Sequence, residues 1–268
     1  MLKAFFSPAS FLAGSLLLVF TSCESDEPSL PSARFRLKSV ETNGPSWTLK
    51  EEYNYTSSGE LAAIEWVRHT PFETSGSEQY IYDESGKLER VIKKTLGLVD
   101  EEVRYQYDGS RIIVASSYVN DKKISYQFYD YNTEGKLSLV EFYSYNLAAN
   151  GFDRQGENHY NYYPDGNIHE VKKYDFIPEE ASLILNHTKI YTEYQEEASV
   201  VDMELVIPGV VMQSNLPAKL EFQYPTSTYP YSFEYEFRSD GLTSKRTTTY
   251  NDGSTESTIF QYEEVTPF

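Results

Sequence analysis

The chain has 268 residues, with 23 Lys and Arg against 41 Asp and Glu, a formal charge of −18, and 24 Tyr beside 15 Phe and 2 Trp. An acidic surface of this size repels phosphate backbones, whose binding depends on Lys and Arg contacts, so nucleic acid and anionic membranes are poor partners. A single cysteine, Cys23, leaves no internal disulfide to form, so burial and sheet hydrogen bonds must hold the fold.

Residues 1–22 read as a signal peptide: Lys3 is a weak positive start, an apolar run extends from Phe11 to Phe20, and small residues Thr21-Ser22 precede Cys23. The run is too short to span a bilayer. Its removal with Lys3 would take the charge from −18 to −19. The placement of Cys23 resembles a lipoprotein signal, which implies that Cys23 is lipidated and becomes the mature N-terminus; Phe20 stands where Leu or Val is commoner. Residues 23–32, with Glu24-Ser25-Asp26-Glu27 and then Pro28-Ser29-Leu30-Pro31-Ser32, have nothing to bury and form an acidic, Pro/Ser-rich tether. The acidic stretch resembles the export signal that sends Bacteroidota lipoproteins to the outer face of the outer membrane. The expected location is therefore the outer membrane, lipid-anchored and exposed at the cell surface.

From residue 33 to 268 a single domain is expected, built on a repeated phrase: an aromatic, one residue, a second aromatic, a glycine four residues on, and an aliphatic two beyond. It reads Tyr53-Asn54-Tyr55…Gly59…Leu61, Tyr80-Ile81-Tyr82…Gly86…Leu88, Tyr129-Asp130-Tyr131…Gly135…Leu137 and Tyr160-Asn161-Tyr162…Gly166…Ile168, with looser copies at Tyr105-Gln106-Tyr107…Gly109…Ile112 and Tyr235-Glu236-Phe237…Gly241. Runs rich in Tyr, Val, Ile and Thr broken by Gly, Asn, Asp and Ser clusters specify β-hairpins. With Ser57-Ser58-Gly59 as a three-residue loop and the glycine left-handed, Tyr55 opposes Leu61 and Tyr53 opposes Ala63. The same construction sets Tyr82 against Leu88, Tyr131 against Leu137, Tyr129 against Leu139 and Tyr162 against Ile168. A two-residue turn at Asp108-Gly109 pairs Tyr105 with Ile112. Such aromatic–aliphatic pairs contribute about 0.2–1 kcal/mol each and mark the core face.

Further strands are expected at Phe35–Glu41, Trp47–Tyr53, His187–Tyr194, Lys219–Tyr224, Thr243–Tyr250 and Ser257–Glu263, about fifteen in all at ordinary strand lengths. Between Phe176 and Gln213, Pro178-Glu179-Glu180 and Pro208-Gly209 break the phrase and suggest an insertion or irregular loops. Consecutive hairpins make an up-and-down antiparallel meander, and a sheet this long must curl, split or close. The expected fold is all-β, a meander closed or nearly closed into a barrel. The stretch Tyr80-Ile81-Tyr82-Asp83-Glu84-Ser85-Gly86-Lys87-Leu88 is similar to the tyrosine–aspartate repeats of wrapped bacterial surface and toxin proteins. With the signal and the length, the chain resembles a Bacteroidota lipoprotein family of unknown function with a porin-like β-barrel, a resemblance that implies the barrel and brings no catalytic residue.

A membrane-facing strand needs about nine to eleven residues with a uniformly apolar outward set. Here Glu65 and Arg68 fall on opposite faces of Leu61–Arg68, Arg90 and Lys94 share a face with Leu88, and Pro267 next to Phe268 cannot donate to a ladder. A water-soluble barrel on a tether is the better expectation. Paired carboxylates at Glu51-Glu52, Glu101-Glu102, Glu179-Glu180, Glu196-Glu197 and Glu263-Glu264 point to opposite faces of a strand and so cannot flank one glycosidic bond. On the expected register His159 opposes Val171 and is the diagonal neighbour of His169, but no third ligand for a metal is identifiable. Asp108-Gly109, Pro164-Asp165-Gly166 and Asn251-Asp252-Gly253 are turns, lacking the alternating acids of a calcium loop. No nucleophile motif or phosphate loop occurs, so neither an enzyme nor a cofactor is expected. The aromatic excess suits glycan or peptide recognition, and Trp47 and Trp66 are the pair singled out for an aromatic binding platform. The two functional expectations are a non-enzymatic binding module for a glycan, peptide or host macromolecule, and an accessory subunit docking another envelope protein.

Overall fold

The structure is a computed structural model and describes residues 35–198 and 215–265. Sixteen strands follow one another: β1 Phe35–Asn43, β2 Thr48–Tyr55, β3 Leu61–His69, β4 Glu73–Tyr82, β5 Leu88–Thr95, β6 Glu101–Asp108, β7 Arg111–Val119 and β8 Lys122–Tyr131 make the first half; β9 Leu137–Asn146, β10 Gly151–Tyr162, β11 Ile168–Ile177, β12 Ser182–Ala198, β13 Asn215–Tyr224, β14 Ser227–Phe237, β15 Thr243–Thr249 and β16 Thr255–Glu264 the second. Each strand pairs antiparallel with its chain neighbours and β1 pairs with β16, so the meander closes into a barrel. The expected insertion is corrected over its first part. Residues 176–198 are the end of β11, a short turn at Pro178–Ala181 and the long strand β12, because Leu183, Ile184, His187 and Tyr191 continue the pairing across the prolyl turn. Its remainder, like Cys23 and the tether, lies outside the described residues.

Alternate turns lie at opposite ends of the barrel. One end carries the glycine turns and both limits of the sheet, Phe35 and Glu264. There the Gly59 amide donates to the Thr56 carbonyl at 3.1 Å and the Thr56 amide to the Glu60 carbonyl at 2.8 Å, with Gly59 at φ 93°. The same closure recurs around Gly86, Gly135, Gly166 and Gly241. This is a type I turn followed by a left-handed residue, which only glycine occupies without strain. The side chain that opens the turn often ties it: Asp83 Oδ1 accepts from the Ser85 and Lys87 amides, and Asn132 Oδ1 from those of Glu134 and Lys136.

The first expected pair of each hairpin is present: Tyr55 with Leu61, Tyr82 with Leu88, Tyr131 with Leu137 and Tyr162 with Ile168. The next is one residue off. Tyr53 faces Ile64 rather than Ala63, and Tyr129 faces Val140 rather than Leu139. The cause is a β-bulge just after the turn, which leaves Ala62, Glu89, Ser138 and His169 as extra residues on their strands. The Asp108-Gly109 turn is corrected too: Asp108 pairs with Arg111, so the loop is Gly109-Ser110, and Tyr105 faces Ala115 while Tyr107 faces Ile112. His159 pairs with Lys172, not Val171. Inward aliphatics therefore recur at i and i+3 on the strands leaving these turns, as in Leu61/Ile64, Leu88/Val91 and Leu137/Val140, against i and i+2 for the aromatics entering them.

The phrase lays down two inward layers. The outer one joins the second aromatics of five copies with Tyr194, Tyr262 and Tyr235, the first aromatic of its copy, in a ring of hydroxyls bonded to backbone. Tyr55 donates to the Leu37 carbonyl, Tyr82 to Leu61, Tyr107 to Leu88, Tyr131 to Ile112, Tyr162 to Leu137, Tyr194 to Ile168, Tyr235 to Pro217 and Tyr262 to Thr243, at 2.5–2.9 Å. Every even strand thus reaches back to the odd strand before it, and each bond contributes about 1 kcal/mol net. Arg36, Lys87, Arg111, Lys136 and Arg238 lie over five of these rings at 4.3–5.6 Å. First aromatics such as Tyr160 form the next layer, where Tyr160, Tyr191 and Phe233 are buried with Leu137, Val140, Ile168, Val171 and Leu220 in one cluster spanning β9–β14. A barrel of sixteen strands is wide enough for an aqueous channel. Here rings and aliphatics pack together on the β9–β14 side.

A cavity on the β1–β6 side

The β1–β6 side of the barrel holds a cavity of about 740 Å³. It runs from the tyrosine ring, at Leu37, Tyr55 and Leu61, to the opposite end of the barrel, where Arg68 and Thr74 are exposed. Its wall carries the first aromatics Tyr53, Tyr80 and Tyr105 with Ile64 and Val91. One step nearer the open end, two residues before the first aromatic, come Glu51 and Glu78, with Trp66 and Lys93 on the partner strands.

Period-2 alternation explains this placement. Glu51 turns inward and its neighbour Glu52 turns out to meet Lys50 at 2.6 Å, so adjacent carboxylates separate as expected. Glu51 and Glu78 share the cavity because each holds the same position relative to its phrase, Glu-x-Tyr-x-Tyr.

Trp66 and Trp47 meet this cavity differently. Trp66 lines it, half-buried, opposite Gly76 on β4. A Cβ at Gly76 would come within 2.4 Å of the Trp66 ring and 2.2 Å of the Lys94 carbonyl, so the bare glycine is what lets the indole lie across the strand. Trp47, in the turn between β1 and β2, packs its ring over Gly44 and lies 4.9 Å beneath the Arg68 guanidinium, which in turn lines the cavity. The structure thus gathers both tryptophans at one mouth, and adds Glu51, Glu78, Arg68 and Lys93.

Burial, and then the charge of Glu78, push the Glu51 carboxyl above its ordinary range. Glu51 has no hydrogen-bond or ion-pair partner among the described residues. Glu78, by contrast, accepts from the Tyr80 hydroxyl at 2.8 Å and faces Lys93 at 3.5 Å. Burial also raises the phenols: Tyr105 is pushed up to about 12, with Glu78 as the second cause, and Tyr53 and Tyr80 are held higher still. These tyrosines stay neutral hydroxyl donors at any physiological pH. Arg36, deeper in the cavity, is matched by Glu263 at 2.6 Å.

The histidines do not meet. His159 is bonded to Glu157 at 2.5 Å and packs edge-on against Tyr174, while His169 sits on a bulge against Tyr163 at 4.5 Å. Among the described residues no group of three or more His, Cys, Asp or Glu is placed to hold a metal.

No known family model matches the chain, and no curated protein sequence matches it. Solved structures do. The chain is similar in fold to porin-like Bacteroides proteins. One, from Bacteroides uniformis, aligns with a TM-score of 0.57 at 13% identity over 88% of this chain and 99% of that one. A second, from Bacteroides vulgatus, aligns at 0.44 and 14% identity over 85% and 98%. A Bacteroides fragilis protein of unknown function covers 52% of this chain at 17% identity, with a TM-score of 0.32. At these identities the first likeness speaks to the barrel, and activity has to be argued from the cavity.

Proposed function

We propose that the chain is a non-enzymatic surface lipoprotein of a Bacteroidota outer membrane that binds a small ligand, or the end of a larger one, in the β1–β6 cavity. The observation that carries this reading is the cavity itself: about 740 Å³, lined by Trp66 and five tyrosines, with charged groups at a few points. Sites of this size and lining suit small-molecule recognition. The barrel's orientation agrees with it. Phe35, which follows the tether, lies at the tyrosine-ring end, so a lipid on Cys23 would hold that end to the membrane and turn the mouth outward.

The outer wall supports a barrel standing in water rather than one spanning lipid. By alternation its residues include the cross-strand pairs Arg90–Glu102 at 3.2 Å, Lys219–Glu193 at 2.7 Å and Lys245–Glu236 at 2.8 Å. An apolar lipid-facing band has no room for these. The test is binding of glycan and peptide panels by the purified mature chain and by Trp66→Ala. Ligand binding that the substitution abolishes supports the reading; a panel bound equally well by both sinks it.

A second reading, docking of another envelope protein, draws on the mouth end, where Phe72, Leu96, Leu98 and Leu147 are 69–84% exposed in three turns. Affinity capture from crosslinked intact cells, grown with and without complex polysaccharide, separates the two: a stoichiometric protein partner favours docking and recovered glycan favours the binder.

A further inference from the structure

We propose that the cavity receives a zwitterion, a free amino acid or dipeptide, with its ammonium group against Glu51 and its carboxylate against Arg68. The proposal rests on the cavity being the binding site.

It starts from which charges are already matched. Of the charged groups in the lining, Arg36 is matched by Glu263 and Lys93 by Glu78. Two remain: the Glu51 carboxylate in the wall and the Arg68 guanidinium at the mouth, each without an ion-pair or hydrogen-bond partner among the described residues. They stand side by side. Leu49 pairs with Arg68 and Glu51 with Trp66, and all four face the cavity, so Glu51 and Arg68 are diagonal neighbours on one face of the β2–β3 pair. Diagonal neighbours are about 7–8 Å apart, a span that a head group carrying both charges can bridge with the side chains reaching inward. The two do not bond to each other. Each is left to offer its charge to a third group.

The surroundings select the charge arrangement. The groups facing Glu51 are Arg68 and Trp66 on β3, Glu78 and Tyr80 on β4, Lys93 on β5, Tyr105 on β6 and Tyr53 on its own strand. Burial first, and then the like charge of Glu78, raise the proton affinity of Glu51, so a cation placed beside it would offset both. An ammonium group there would face two carboxylates among the lining tyrosines Tyr53 and Tyr80, a favourable setting for a cation. Arg68, planar and flanked by Trp47, is suited to a two-pronged grip on a carboxylate. The ligand's side chain would lie along Leu49 and Trp66, and the volume leaves room for a second residue.

The experiment is titration calorimetry of the mature chain with L-leucine, leucyl-leucine, isoamylamine, 4-methylpentanoate and cellobiose. Leucine or its dipeptide should bind, and each half-analogue, lacking one charge, should bind roughly ten- to a hundredfold more weakly. Glu51→Gln and Arg68→Gln should each cause a loss of that size, with Glu52→Gln on the outer wall unchanged. Should Glu51→Gln fail to fold, the half-analogues on the unaltered chain decide. Half-analogues binding as tightly as leucine, or variants binding like the parent, overturn the proposal. Cellobiose bound in preference to every zwitterion, and lost in Trp66→Ala, overturns it while leaving the cavity as the site. No heat with any of the five overturns it outright.

Discussion

Replacing four neighbouring members of the tyrosine ring, Tyr82, Tyr107, Tyr131 and Tyr162, with phenylalanine removes four hydroxyls and leaves every ring face in place. Each hydroxyl donates to a strand carbonyl at 2.7–2.9 Å, and the acceptors Leu88, Ile112 and Leu137 are themselves buried. One such bond contributes about 0.5–1.5 kcal/mol net. The tyrosines sit on alternate strands, about 9.5 Å apart, far enough for their effects to add. The quadruple variant should therefore lose about 2–6 kcal/mol, and each single variant about a quarter of that. Equilibrium unfolding in guanidinium chloride reads this as a lower midpoint at unchanged slope. Tyr143→Phe is the control: its ring stacks on Tyr126 at 4.7 Å on the outer wall, and the loss of its hydroxyl should change stability by less than about 0.5 kcal/mol. A quadruple variant within about 0.5 kcal/mol of the parent would refute the claim that the ring ties the strands together.

Leu137→Ala empties a fully buried position on the first strand of the β9–β14 cluster and should cost about 2–5 kcal/mol, lowering the melting temperature by about 2–4 °C per kcal/mol in calorimetry. Gly59→Ala isolates the backbone term, since a Cβ there meets nothing within 4 Å while φ is 93°; a cost of about 1–2 kcal/mol is expected in the same assay. Glu51→Gln should change stability with pH. The folded-state pKa lies above the unfolded one, so ionising Glu51 works against the fold: its favourable contribution is complete below the unfolded pKa and lost as pH rises through the folded value. The substitution should be neutral near about pH 4 and stabilising near about pH 8, as read by melting curves at both.

Much of this fold is legible in the phrase. Tyr131, Gly135 and Leu137 suffice for the turn, the left-handed glycine and the first cross-strand pair, because those depend on a few adjacent residues. The pairs beyond depend on a bulge, whose mark is the i, i+3 spacing of Leu61/Ile64 or Leu137/Val140; an unbroken period of 2 passes over it. Five members of the hydroxyl ring are second aromatics of the phrase, but the acceptors lie 18–28 residues away, counting the like bond of Tyr163 to Tyr191, and appear only once strands align. Glu51 and Glu78 could be placed together from their shared position two residues before Tyr53 and Tyr80. Arg68 and Gly76 could not, since what matters is the ring each one touches.

The central claim is that the repeated phrase closes the barrel at the end where Phe35 and Glu264 lie, leaving a cavity on the β1–β6 side in place of an open pore. Conductance of the purified mature chain across planar lipid bilayers tests it most directly. A flat baseline is expected, unchanged by ligand. Stepwise, voltage-stable channels would contradict it.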